Sequence, residues 1–154
     1  MTTKTAHMEY PRLHIPVHGR ISIRVKPQKG IGAKLARLLG SDERKANVKW
    51  IRADLAFEAP RALMGKAVYV LTYRYKKVHV FWDFKTTMIC TSSCKNARRS
   101  YCVCSCKGKK HQQGLGAATS WHSVGDIEIE HGISQTHFVV YPHDLKNFDF
   151  ENFR

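Results

Sequence analysis

All five cysteines of this 154-residue chain fall between Cys90 and Cys106, and His111 follows closely. The segment reads CTSSCKNARRSYCVCSCKGKKH, or C-x3-C-x7-C-x-C-x-C-x4-H. Beyond the cysteines its main apolar side chains are Ala97, Tyr101 and Val103, too few to order it by packing. A metal ion can supply that order, because zinc takes four soft or borderline ligands in a tetrahedron and favours thiolates in structural sites. Cys102, Cys104 and Cys106 alternate, so an extended backbone points all three to one side. Gly108 permits a tight turn beside them. The preferred ligand set is Cys90, Cys94, Cys104 and Cys106, with Cys102 and His111 as the other two donors. An odd number of cysteines cannot pair completely, which favours ligation over disulfides. An iron–sulfur cluster is the alternative cofactor for the same thiolates.

The six donors and Gly108 resemble a cysteine-rich segment of uncharacterised small proteins of phages and other mobile elements. The resemblance spans about a seventh of the chain, from Cys90 to His111. It implies a phage or mobile-element protein and transfers no catalytic residue. The spacing is not that of the paired C-x2-C ribbon.

The same segment is strongly basic. The chain has 26 Lys and Arg against 12 Asp and Glu, a formal charge of +14, unevenly distributed. Residues 61–113 hold twelve basic side chains and a single acid, Asp83, whereas residues 114–154 hold two basic and six acidic ones. A bias of this kind suits a polyanionic partner. If one metal gathers the cysteines, Lys95, Arg98, Arg99, Lys107, Lys109 and Lys110 crowd onto one rigid knob. These six side chains suit the phosphates of DNA or RNA, with Tyr101 placed to stack on a base. The resulting expectation is a basic zinc module that contacts nucleic acid. The first alternative is an adaptor or inhibitor that docks on an acidic host protein surface. The second is a metal-dependent nuclease using His122, His131, His137 and His143 with Glu128, Glu130 and Asp144. No HNH-like or H-E-x-x-H spacing supports this last reading, and Glu128 and Glu130 read more simply as the solvent face of a strand. No catalytic residue is assigned, and an enzyme is the weaker expectation.

Hydrophobic periodicity predicts the frame around the module. Leu13, Ile15 and Val17 alternate with polar residues, as do Ile21, Ile23 and Val25 with Arg20, Ser22, Arg24 and Lys26, predicting two strands. The outer face of the second is then a basic row. Ile31, Leu35, Leu38 and Leu39 share a helical face over 31–39, with Gly40 placed to end it. Residues 51–57 alternate as one strand closed by Pro60, with a helix over 43–57 as the rival reading. Ala67–Tyr75 and Val78–Phe84 are rich in β-branched and aromatic residues and predict a hairpin turning at Lys76-Lys77. Further strands are expected over 126–130 and 135–141. The fold class is therefore α+β and β-rich: a small antiparallel sheet, one short helix and an inserted Cys/His zinc module over 88–112. Residues 1–10 read as a flexible tail and 11–154 as one domain. The domain ends in an acidic segment, 143–154, expected to dock through Phe148, Phe150 and Phe153. The start MTTKTAHMEYPRLH has no apolar stretch and no run approaches a membrane span, so a cytoplasmic protein without membrane contact is expected.

Overall fold

The structure, a computed structural model, describes residues 10–41, 44–85 and 121–146. Strands β1 (Arg12–Ile15) and β2 (Ile21–Arg24) follow the period-two pattern, with Leu13, Ile15, Ile21 and Ile23 fully buried and their polar neighbours half-buried. Helix α1 (Ile31–Leu39) starts after Gly30, whose φ of 76° few side chains tolerate. It buries Ile31, Leu35 and Leu39 and ends where the Gly40 amide donates to the Ala36 carbonyl. Within it, Gly32 lets the Phe57 ring approach so closely that a Cβ there would lie 2.9 Å from the ring.

Residues 51–57 are not one strand. They split into a hairpin of β3 (Lys49–Ile51) and β4 (Ala56–Ala59). The Asp54 and Leu55 amides bond back to Ile51 and Arg52, and Leu55 takes a φ of 49° and points into solvent. Apolar alternation alone could not reveal this turn, because Leu55 is an apolar residue that stays outside.

The larger correction concerns residues 64–75. They form a second helix, α2 (Met64–Tyr75), instead of the first arm of a hairpin. Met64, Ala67, Val68, Leu71 and Thr72 are buried, a spacing of i, i+3, i+4, i+7 and i+8. Lys76, at φ 71°, ends the helix in the left-handed region, so Lys76-Lys77 leads out of a helix where a hairpin turn was expected. Topology follows from this change. A helix carries the chain back along the sheet, so β5 (Val78–Lys85) enters parallel to β1. The sheet is thus mixed, and with β6 (His122–Glu130) and β7 (Ile133–Val140) it has seven strands in the order β3-β4-β2-β1-β5-β7-β6. It is larger than the small antiparallel sheet expected, and the described residues hold two helices, not one. The β-rich α+β class stands.

Both helices cover one face of the sheet. The core between them gathers Leu13, Ile15, Ile21, Ile23, Leu35, Leu39, Met64, Val68, Leu71, Trp82 and Phe138. Trp121 closes one end, 6.4 Å from Trp82 and edge-on to Phe138 at 5.7 Å, measured between ring centroids. After β7 a 3-10 turn, Pro142–Leu145, seats Leu145 against this core at 2% exposure. The Tyr141 amide donates to Asp144 Oδ2 at 2.9 Å and fixes the turn. Phe148, Phe150 and Phe153 lie outside the described residues, so the anchoring at this end that can be weighed is Leu145. Leu145→Ala is expected to cost about 2–5 kcal/mol, read as a lower midpoint in urea denaturation. An unchanged midpoint would show that the turn is not seated.

Candidate functional site

On the face of the sheet opposite the helices, alternation presents the other half of each strand. Arg12 and His14 of β1, Ser22 and Arg24 of β2, and Phe81 of β5 line a cleft of about 400 Å³ with Gln135 of β7, Ala56 of β4 and Asp54 of the β3–β4 turn. Strand register sets who meets whom. Arg12 stands directly opposite Arg24, and His14 opposite Ser22. On the other side of β1, His14 pairs with Phe81, while β7 places His137 opposite Phe81 and Gln135 opposite Asp83.

Two features are built from these positions. The first is a stack. The Arg12 guanidinium lies 4.3 Å from the centre of the Phe81 ring, a cation–π contact. His137 stacks on Phe81 at 4.3 Å and 16°. His137 Nε2 is in turn 2.9 Å from His79 Nδ1, a bond that needs one nitrogen to donate and the other to accept. The second is a carboxylate with both oxygens engaged. Asp83 is 5% exposed. Its Oδ2 accepts from His14 Nε2–H at 2.7 Å and its Oδ1 from the Gln135 amide at 2.8 Å. The His14 side chain remains 40% exposed at the cleft.

The electrostatics of the cleft are unbalanced. Like charges directly opposite in a sheet repel and cost roughly 0.2–1 kcal/mol. Burial, and next the charge of Arg24, hold the Arg12 guanidinium below its usual value, with Tyr10 acting the other way. Among the described residues no carboxylate forms an ion pair with Arg12 or Arg24; the nearby acid Asp83 is committed to His14, and Asp54 at the rim is not within pairing distance of either. By contrast Arg20, which precedes β2, does have a partner in Glu58 at 3.8 Å. Two opposed guanidiniums with no carboxylate paired to them among the described residues suit an anion with several oxygens, such as a phosphate.

The site residues expected from the sequence lie elsewhere in the chain. Cys90, Cys94, Cys102, Cys104, Cys106 and His111, and with them Lys95, Arg98, Arg99, Tyr101, Lys107, Lys109 and Lys110, are all outside the described residues. They all fall in the stretch of sequence between β5 and β6. Among the described residues, no three His, Cys, Asp or Glu side chains are grouped to hold a metal ion. Glu128 and Glu130 sit on the exposed edge strand β6, where Ile127 and Ile129 are exposed as well. His143 lies beside Asp144 and stacks on Tyr141. Of the histidines considered for a nuclease, His137 stands opposite Phe81 on the cleft side of the sheet, and His122, opposite Val139, is on the same face but exposed on the edge strand.

Sequence reasoning missed the cleft, although it carried two traces of it. One was the basic outer face of β2. The other was Asp83, the lone acid in residues 61–113. No protein-family model, curated protein or solved structure matches this chain. Among the described residues no helix is long and apolar enough to cross a membrane.

Proposed function

We propose that this protein binds nucleic acid, using the cleft on the open face of the sheet and the basic cysteine module as two contacts on one strand. The observation that carries the reading is the pair Arg12 and Arg24, opposed across β1 and β2 with no acid paired to either among the described residues. Beside them the Phe81 ring lines the cleft, an aromatic next to basic side chains, the combination used by single-strand binders. The net charge of +14 supplies the long-range attraction. In the module, zinc held by Cys90, Cys94, Cys104 and Cys106 would bring Lys95, Arg98, Arg99, Lys107, Lys109 and Lys110 to a backbone, with Tyr101 stacking.

The experiment is a salt titration of binding to mixed-sequence single-stranded and duplex oligonucleotides by fluorescence anisotropy. Replacing both Arg12 and Arg24 by alanine should weaken binding to all sequences alike. It should also flatten the slope of log K against log[salt] by about 1.4–1.8, at 0.7–0.9 per phosphate contact. Arg98→Ala with Arg99→Ala should flatten it by a similar amount. If neither oligonucleotide binds better than about 100 µM at moderate salt, weaker than ordinary non-specific binding, the reading fails. The adaptor reading, with an acidic protein as partner, then replaces it.

A further inference from the structure

We propose that the cleft is a catalytic site that cleaves single-stranded RNA without a metal ion, with His14 as general base. The inference rests on the nucleic-acid reading above and adds to it a substrate class and a reaction. Its starting point is the Asp83 carboxylate. A carboxylate can only accept, so the 2.7 Å contact places the proton of neutral His14 on Nε2. Nδ1 is then the unprotonated nitrogen, and the ring that carries it lines the cleft. Asp83 is itself held by Gln135 and buried, so it fixes both the tautomer and the direction of the ring. This is the arrangement of a base with its orienting acid.

What surrounds the base selects the chemistry. Arg12 and Arg24 line the same cleft as His14 and stand one strand position-pair away, Arg12 opposite Arg24 and His14 opposite Ser22 two residues along. Guanidiniums aimed at a phosphodiester stabilise the extra negative charge of a five-coordinate phosphorus. A nucleophile supplied by the substrate completes the set, because RNA carries a hydroxyl adjacent to every phosphate. The 2′-oxygen forms a bond to phosphorus as its proton passes to His14 Nδ1. The bond from phosphorus to the 5′-oxygen breaks, and that oxygen takes a proton from water. The hydroxide left behind removes the proton from the His14 imidazolium and resets the site. The products are one strand ending in a 2′,3′-cyclic phosphate and one beginning with a 5′-hydroxyl. No oxidant, metal or other co-reactant enters. The Phe81 ring, held between Arg12 and His137, forms part of the cleft wall against which the strand lies.

The test uses the full chain, purified without chelator and with no divalent ion added. It is mixed in excess with a single-stranded RNA, the DNA of the same sequence and the fully 2′-O-methylated RNA, and both binding and single-turnover cleavage are read. The expected result is that all three bind and only the RNA is cut, leaving cyclic phosphate ends. His14→Ala should lower the saturated cleavage rate by about 10²-fold or more, and free imidazole should restore part of it. Asp83→Asn should lower the same rate while the affinity for the methylated RNA holds, which separates positioning from folding. RNA that binds and stays intact overturns catalysis and leaves the binding reading standing. Failure of all three to bind overturns both. Equal cleavage of DNA, or cleavage undiminished in His14→Ala, overturns the assignment of the base and of the 2′-hydroxyl.

Discussion

Serine at Cys104 or Cys106 is expected to cost the protein its metal and the order of its 90–111 segment together. The wild-type chain should carry about one zinc. Structural zinc binds small modules with an apparent free energy of about 10–16 kcal/mol near neutral pH, and that binding energy is folding energy for a segment without a core of its own. Here the segment offers only Ala97, Tyr101 and Val103 besides its cysteines. Lys95, Arg98, Arg99, Lys107, Lys109 and Lys110 would repel one another once gathered, and zinc-bound thiolates would offset that charge. Losing one thiolate would therefore remove a ligand and leave the basic cluster less compensated. The measurement is metal content by elemental analysis alongside thiol titration of the folded protein. Five freely titrating thiols and no metal in the wild type would sink the zinc site, and a brown protein absorbing near ~400 nm would reassign it to an iron–sulfur cluster.

How much of the molecule could be read in advance depended on the range of the signal. Helix α1, strands β1 and β2, and strand segments within β5, β6 and β7 have patterns that repeat over neighbouring residues, and these were readable. Helix α2 was not. Over Ala67–Tyr75 the residues Val68, Val70, Tyr69 and Tyr73 suggest a strand by composition. The stripe formed by Met64, Ala67, Val68 and Leu71 appears only when the window starts three residues earlier. That one substitution of helix for strand also hid the parallel pairing of β1 with β5, since a hairpin would have made β5 follow its neighbour antiparallel.

The cleft lay further out of reach. Its parts come from positions 12–24, 54, 81–83 and 135–137, and only the register of four strands brings them together. Nothing local in the sequence tells Arg24, opposed to a second arginine, from Arg20, which has Glu58. The cysteine segment is the opposite case. Its six potential donors lie within one short stretch of sequence, so the proposal of a metal site there rests on spacing alone, and the segment lies outside the described residues.

Trp82→Ala should be the most damaging single change in the described core. Trp82 is fully buried on β5, between β1 and β7, with Ile15 beside it on one strand and Thr136 on the other. Trp121 packs against it and Phe138 against Trp121, so its removal leaves a hole in the core beneath an interior strand of the sheet. Surroundings of β-strands relax little around such a hole, because each strand is bonded to neighbours on both sides. A large aromatic cut to alanine in a core costs about 3–5 kcal/mol, against a total of about 5–15 kcal/mol for a typical domain. The melting temperature should fall by roughly 6–20 °C, at about 2–4 °C per kcal/mol for a chain of this size. Trp50 serves as the control. It is 51% exposed on the edge strand β3 and meets Phe57 at 4.9 Å between ring centroids, so Trp50→Ala should cost little more than one aromatic pair, about 0.5–1.5 kcal/mol. Urea denaturation of the two variants side by side checks the assignment. Equal midpoints for Trp82→Ala and Trp50→Ala would mean that Trp82 is not buried in the core beneath β5.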